Sequence, residues 1–245
     1  MRRRDFIKVI AGSSAAWPLA AHAQQSVPVI GYLDAGSPGP FANLTKKFRQ
    51  GLEENGYVDG QNVAIEYRWG EGRHERLAML AADLVNRRVA VIVATGGEVS
   101  ALAAGTATKT IPIIFDSGRD PVTLGLVTSL NRPGGNATGV SHFSAELGGK
   151  SLGLMHELLP KATVIAFLGN PNNPSTPDQV KERQEAARAV GLKIAPFAAG
   201  SQDNLDAAFA EIAQQRLDAL LIGADPFFFI QREKLAALAM RHGAR

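Results

Sequence analysis

The chain holds no cysteine among its 245 residues. Disulfides, thiolate metal sites, haem attachment through CxxCH, a cysteine nucleophile and a lipid carried on an N-terminal cysteine are thereby excluded. GxxxxGK[ST], a GxGxxG after a strand and HExxH are also missing. His74, His142 and His156 share no metal-ligand spacing, so no metal and no cofactor are expected. Gly139-Val140-Ser141-His142-Phe143 departs from GxSxG at its last residue and lies at a strand end without the strand-to-helix elbow of such nucleophiles. An enzyme is therefore not expected; a hydrolase would need Ser141, His142 and Asp120 in mutual contact.

An excess of one charge is missing too, once its location is considered. Lysine and arginine total 26 against 23 acidic residues, yet Arg2, Arg3, Arg4 and Lys8 face only Asp5 within residues 1–23. The rest of the chain balances, which gives no nucleic-acid footprint. Residues 1–23 combine this basic start with an apolar stretch from about Val9 to Leu19 and a small-x-small ending at Ala21-His22-Ala23. That is the layout of a cleavable export signal, too short for a membrane anchor. Arg3-Arg4-Asp5-Phe6-Ile7-Lys8 resembles the twin-arginine motif, with an ordinary Sec signal as the alternative. Either way the mature chain is expected to begin near Gln24. Lacking a lipid site, it is expected to be free in a Gram-negative periplasm.

Beyond the leader the chain alternates between two patterns. Apolar runs at 27–33, 63–69, 89–94, 111–115, 137–141, 163–168, 193–197 and 219–222 read as strands, and the run at 89–94 is continuous enough for a buried central one. Between them lie helical patterns at 41–55, through Leu77 to Val85, from Glu98, at 121–130, 148–159, 177–190 and 205–215, and a last one at 229–242. Asp120 suits the N-cap and Pro121 the first turn of the helix at 121–130. Such alternation predicts an α/β protein with right-handed crossovers, and two parallel sheets rather than one. The expected division is an N-terminal lobe at 24–139, a crossover at 140–146 and a second lobe at 147–245. Parallel sheets hold ligands at the carboxyl ends of their strands. Those ends carry Asp34, Thr95-Gly96-Gly97, Asp116-Ser117, Asn170 and Asp225.

Four stretches carry a family resemblance: FRQGLEENGYVDGQNVAIEYRWGEG (48–72), DPVTLGLVTSLNRPGGNATGVS (120–141), NPNNP (170–174) and GADPFF (223–228). Together they resemble the ABC-transporter substrate-binding family that includes tryptophan-binding proteins, with the type I periplasmic binding-protein fold. The resemblance implies two Rossmann-like lobes, a hinge of crossovers and closure over a small solute. Family members usually run several tens of residues further, which implies that the second lobe and hinge are incomplete in this chain.

The candidate ligand residues are chosen by their chemistry. Thr95-Gly96-Gly97 lets the backbone approach a ligand closely, and the helix start beyond it offers free N–H groups to a carboxylate, with Ser100 adding a hydroxyl. The same residues also suit an ordinary strand-to-helix turn. Asp225 fits either an N-cap before Pro226 or a partner for a ligand ammonium, and Asp34 either a turn or a ligand contact. Tyr32, Phe143, Phe227 and Phe228 can stack on an aromatic ligand, although aromatics are more often core. Asp116, Ser117 and His142 are expected beside the cleft, and Asn170 either there or as a turn former. The expected function is a monomeric periplasmic receptor for an amino acid, aromatic or branched, delivered to an ABC permease of the inner membrane. A ligand sensor for a membrane signalling system is the alternative.

Overall fold

The structure is a computed structural model that describes residues 27–142 and 148–243. The expected export signal at 1–23 and residues 143–146 of the expected crossover lie outside the described residues. Val29–Asp34 (β1), Ala42–Glu54 (α1), Ala64–Trp69 (β2), Leu77–Asn86 (α2), Val91–Thr95 (β3), Glu98–Ala107 (α3), Ile113–Ser117 (β4) and Ala137–Ser141 (β5) form the first half. The second comprises Gly148–Leu158 (α4), Val164–Gly169 (β6), Thr176–Ala189 (α5), Lys193–Ala198 (β7), Gln202–Gln214 (α6), Ala219–Ile222 (β8), Pro226–Ile230 (α7) and Arg232–His242 (α8). Among the described residues there are two sheets, ordered β2-β1-β3-β4-β5 and β7-β6-β8. Every strand pair in them is parallel. This is the α/β, two-lobed, parallel class that the alternating sequence implies.

Strand β1 shows why these residues form a central strand. Ile30 and Tyr32 point to one face, where they join Val63 and Val93 and meet Phe48 and Leu52 of α1. Leu33 points to the other, among Leu77, Leu84, Val99 and Ala101 of α2 and α3. Apolar side chains on both faces match a parallel strand sandwiched between helices. Gly31 leaves room for Leu84 and Val89, since a Cβ there would lie 2.9 Å from the Leu84 side chain. The second sheet is covered likewise, by Phe197, Leu205 and Phe209 on one side and by Leu152, Ala187 and Leu192 on the other.

In both sheets the chain goes first to one neighbour of the starting strand and then crosses to the other. Order therefore reverses between β1 and β3, and again between β6 and β8. At such a reversal the two crossovers leave on opposite sides, and a crevice opens beyond the strand ends. Asp34 and Thr95 are register partners at the first of these points.

Two expected elements differ. The helix expected at 121–130 is a set of turns. Asp120 does cap, accepting hydrogen bonds from Val122 N at 3.0 Å and Thr123 Oγ1 at 2.8 Å. The winding stops after one turn because Gly125 takes φ 70° and both Leu126 N and Val127 N return to Pro121 O. Val127 is then drawn into the first core. The last expected helix, 229–242, is instead two, with α7 starting earlier at Pro226 and α8 beginning after Gln231.

Strands β4 and β5 approach closely at Gly139, the register partner of Phe115. A Cβ at Gly139 would overlap the Phe115 carbonyl oxygen and lie 2.7 Å from its ring. Gly139→Ala is expected to lower stability by about 1–3 kcal/mol, the usual cost of overpacking. A shift of the urea midpoint, at unchanged slope, measures it.

Candidate ligand-binding cleft

A cavity of about 400 Å³ lies between the lobes. The first lobe supplies its floor from strand ends: Tyr32 and Asp34 of β1, Thr95-Gly96-Gly97 after β3, Asp116 of β4, and His142. Phe41, Leu44 and Phe48 make one wall, and Asn173, Ala224, Pro226 and Phe229 of the second lobe make the other. The Tyr32 ring lies 5.2 Å from Phe48 and 5.6 Å from Trp69, so the floor rests on an aromatic layer. Across the mouth, the rings of Phe41 and Phe229 meet edge to face at 4.9 Å.

At the strand reversal Asp34 is almost wholly buried. Its Oδ1 accepts from Gly36 N at 2.6 Å and its Oδ2 from Thr95 Oγ1 at 2.7 Å. Burial pushes its carboxyl above the usual range, opposed by those hydrogen bonds and reinforced by the nearby charge of Asp116. Burial likewise raises the Tyr32 phenol. Gly96 comes next at φ 77°, and a Cβ on it would stand 2.6 Å from Asp34 Oδ1. Gly97, at φ 95° and ψ 177°, occupies a region open essentially to glycine alone and precedes α3 without a side-chain cap. The first N–H groups of α3 therefore start at the cleft.

The lobes are joined by a buried polar cluster around Asp225. Its Oδ1 accepts from Phe227 N at 2.8 Å and Asn170 Nδ2 at 3.1 Å. Its Oδ2 accepts from Asn173 Nδ2 at 2.7 Å and pairs with His74 Nε2 at 2.9 Å. His74 comes from a 3-10 turn of the first lobe, and both side chains are at most 5% exposed. A second bridge runs from Arg119 to Glu182 at 2.8 Å.

Of the sequence-derived candidates, Tyr32, Asp34, Thr95, Gly96, Gly97, Asp116, His142 and Asp225 come together around the cavity. The role of ammonium partner for Asp225 is corrected, because four protein donors occupy its two oxygens. Ser100 is fully buried inside α3 and absent from the lining, since the helix turns its third residue toward the core. Ser117 is buried and donates to Arg119 O at 2.8 Å. Asn170 is buried behind the cleft, holding Asp225. Phe227 packs in the second core 5.4 Å from Phe228, and Phe229 faces the cavity instead. Phe143 lies outside the described residues.

Sequence reasoning missed Phe229 and His74 as site residues, and placed Phe41, Leu44 and Phe48 only within the helical pattern at 41–55. Leu44 is 59% exposed, a signal that the pattern continues past the core into the cleft. Ser141 Oγ donates to Arg119 O, Asp120 binds Val122 N and Thr123 Oγ1, and His142 Nδ1 pairs with Asp116 Oδ1 at 3.3 Å. No Ser141–His142–Asp120 relay is thus assembled. Among the described residues no group of three or more acidic or histidine side chains could hold a metal, and no helix is long and apolar enough to cross a membrane.

Both buried carboxylates can be tested by substitution. Asp34 binds its proton more tightly in the folded than in the unfolded chain, so its contribution to stability is full below about pH 4 and is lost as pH rises through the elevated folded value. Asp34→Asn should therefore raise Tm at pH 7, with the gain shrinking as the pH is lowered toward 4; a gain that does not depend on pH would contradict this. His74→Leu removes one of four donors from the buried Asp225 carboxylate and should cost about 1–3 kcal/mol in denaturant melts.

The family whose pattern matches residues 39–230 is described as ABC transporter substrate binding protein, a family of binding proteins rather than enzymes. A tyrosine-binding protein of Clostridioides difficile (strain R20291) is 31% identical over 180 residues, covering 74% of this chain and 51% of that one. The chain thus spans about half the length of this curated relative. An ABC domain from Streptococcus pneumonia in complex with L-Trp aligns with TM-score 0.76 and 26% identity over 89% of this chain and 72% of that one. The ligand-free, open structure of a substrate binding protein with adhesive properties from Clostridium difficile covers the same shares at 25% identity, with TM-score 0.53. Nearly four fifths of the chain match the family pattern, and the two-lobed parallel fold agrees with it: the chain belongs to the ABC transporter substrate-binding protein family.

Proposed function

We propose that this protein is a periplasmic receptor that closes its lobes over an amino acid, aromatic or branched, and delivers it to an ABC permease of the inner membrane. The observation that carries the reading is the cleft itself, a polar strand-end floor from the first lobe between walls of aromatic and aliphatic side chains from both lobes. Ligand pockets of this kind are mostly apolar with a few placed polar groups. Tyr32, Phe41, Phe48 and Phe229 would flank a ring or a branched chain. The uncapped start of α3 after Gly97 would receive the carboxylate.

Further support comes from the relatives, one of which binds tyrosine and another of which holds L-Trp. The chain superposes better on the L-Trp complex than on the ligand-free, open structure, as a closed lobe arrangement would. Closure fits a two-state scheme in which the ligand favours the arrangement it touches from both sides. Export by residues 1–23 and release as a free periplasmic protein complete the reading.

The test is a thermal-shift screen of the chain without residues 1–23 against the common L-amino acids. A ligand at about 100 times its Kd stabilises the folded state by about 2.7 kcal/mol, so a true ligand should raise Tm by several degrees. Trp69, then the sole tryptophan, lies 5.6 Å from Tyr32 and should report binding by its emission. No shift with any aromatic or branched amino acid would refute the ligand class.

A further inference from the structure

We infer that His74 is a positioning residue for closure: through Asp225 it latches the two lobes together before any solute enters the cleft. The inference rests on the proposed closing of the lobes, and not on which solute they close over.

The hydrogen bonds of the His74 ring all leave its own lobe. Nε2 pairs with Asp225 Oδ2 at 2.9 Å and lies 3.4 Å from Asn170 Nδ2, both of the second lobe. Nδ1 is buried and has no hydrogen-bond partner among the described residues. A histidine that held the first lobe together would bond at least one ring nitrogen inside it, since buried polar atoms are normally paired. This one gives its only bonded nitrogen to residues across the lobe boundary.

The receiving side is prepared in advance. Phe227 N, Asn170 and Asn173, all of the second lobe, supply three of the four bonds to the Asp225 oxygens. With the carboxylate already held by its own lobe, docking one more donor displaces little water and adds a bond to a charged group, the stronger kind. A carboxylate only accepts, so His74 Nε2 carries the proton in this pair. The backbone admits the contact at Gly72, which has φ 74° and on which a Cβ would stand 3.3 Å from Cα and Cβ of Phe227. The turn before His74 thus lies directly against the start of α7.

The other contacts between the lobes described above are less protected from water. Arg119 reaches Glu182 at 2.8 Å and Asp178 at 3.4 Å, but both acids are exposed, and ion pairs open to solvent contribute little. Phe41 and Phe229 meet edge to face at 4.9 Å with the Phe229 ring partly in solvent. The His74–Asp225 pair is desolvated on both sides, at 5% and 2% exposure. Asp225 also caps α7, which carries Phe229 to the cavity, so the latch and the wall of the cleft move as one piece.

The test reads lobe separation directly. Because the chain has no cysteine, Met79→Cys in α2 and Met240→Cys in α8, at exposed positions of different lobes, carry the only two spin labels. Distances are measured by pulsed electron resonance on the dialysed chain without residues 1–23, with no solute added. The labelled parent should give one dominant short distance. His74→Asn, whose amide nitrogen ends where Nδ1 does, should lower the ratio of short to long populations about tenfold, the scale of a hydrogen bond to a charged group. His74→Gln, whose amide nitrogen ends where Nε2 does, should restore most of the short population. A ring that merely filled space would not distinguish the two amides. A parent found mainly at the long distance would overturn the inference without any variant. So would an unchanged distribution in His74→Asn, or equal loss of the short distance in both amide variants. Urea melts check that each variant is folded; a His74→Asn chain that did not fold would show that the ring serves its own lobe, and would overturn the inference as well.

Discussion

The structure depends on how one buried carboxylate is satisfied. Asp225 is nearly inaccessible to solvent, and an ionised carboxylate in such a place costs several kcal/mol unless its lone pairs are filled. Three of its four donors come from its own lobe, and the fourth, His74, is 151 residues away in the other. The full set is therefore made only when the lobes touch, which ties their separation to the hydration of this group. Asp225 also accepts at the start of α7, and Phe229 N returns to its carbonyl at 3.1 Å. The residue that meets His74 thus fixes the turn that carries Phe229 to Phe41, and with it the mouth of the cleft.

The two lobes repeat one arrangement and use it differently. In each sheet a polar side chain at the end of the first strand is bound to one at the end of the strand across the reversal: Asp34 to Thr95, and Asn170 to Asp225. Sheet topology demands this, because the crevice beyond the reversal leaves strand-end polar groups without a helix to cover them. In the first lobe the carboxylate borders the cavity, held by Gly36 N and Thr95 Oγ1. In the second it is fully used by protein groups. The backbone pattern is the same in both lobes, but only the second carboxylate is held by a side chain from the opposite lobe, His74.

Much of this was legible in the chain. Continuous apolar runs such as Val91-Ile92-Val93-Ala94 mark parallel strands because both faces are buried, and each strand end could be read from the polar or glycine residue after it. The turn at 121–127 was not, since Asp120-Pro121 begins a helix and a tertiary demand, the burial of Val127, ends it. Among the phenylalanines at 227–229, sequence order does not reveal which one faces out; that depends on the phase of a five-residue helix set by its Asp225 cap. The pairing of His74 with Asp225 was invisible for a plainer reason, because nothing local marks a partner in another lobe.

Gly96 and Gly97 explain how opposite charges can be offered side by side. A helix start carries partial positive charge, and placed directly against Asp34 it would simply be neutralised by that carboxylate. Gly96 instead takes φ 77° with its Cα pressed against Asp34, where any Cβ would collide with Oδ1. Gly97 then swings the chain through a conformation closed to other residues, so α3 sets off away from the carboxylate while its first amides stay at the cavity. The pair keeps the acidic strand end and the amide-rich helix end apart yet adjacent. Asp34 remains costly to bury in its charged form under this arrangement, because desolvation outweighs the hydrogen bonds that hold it.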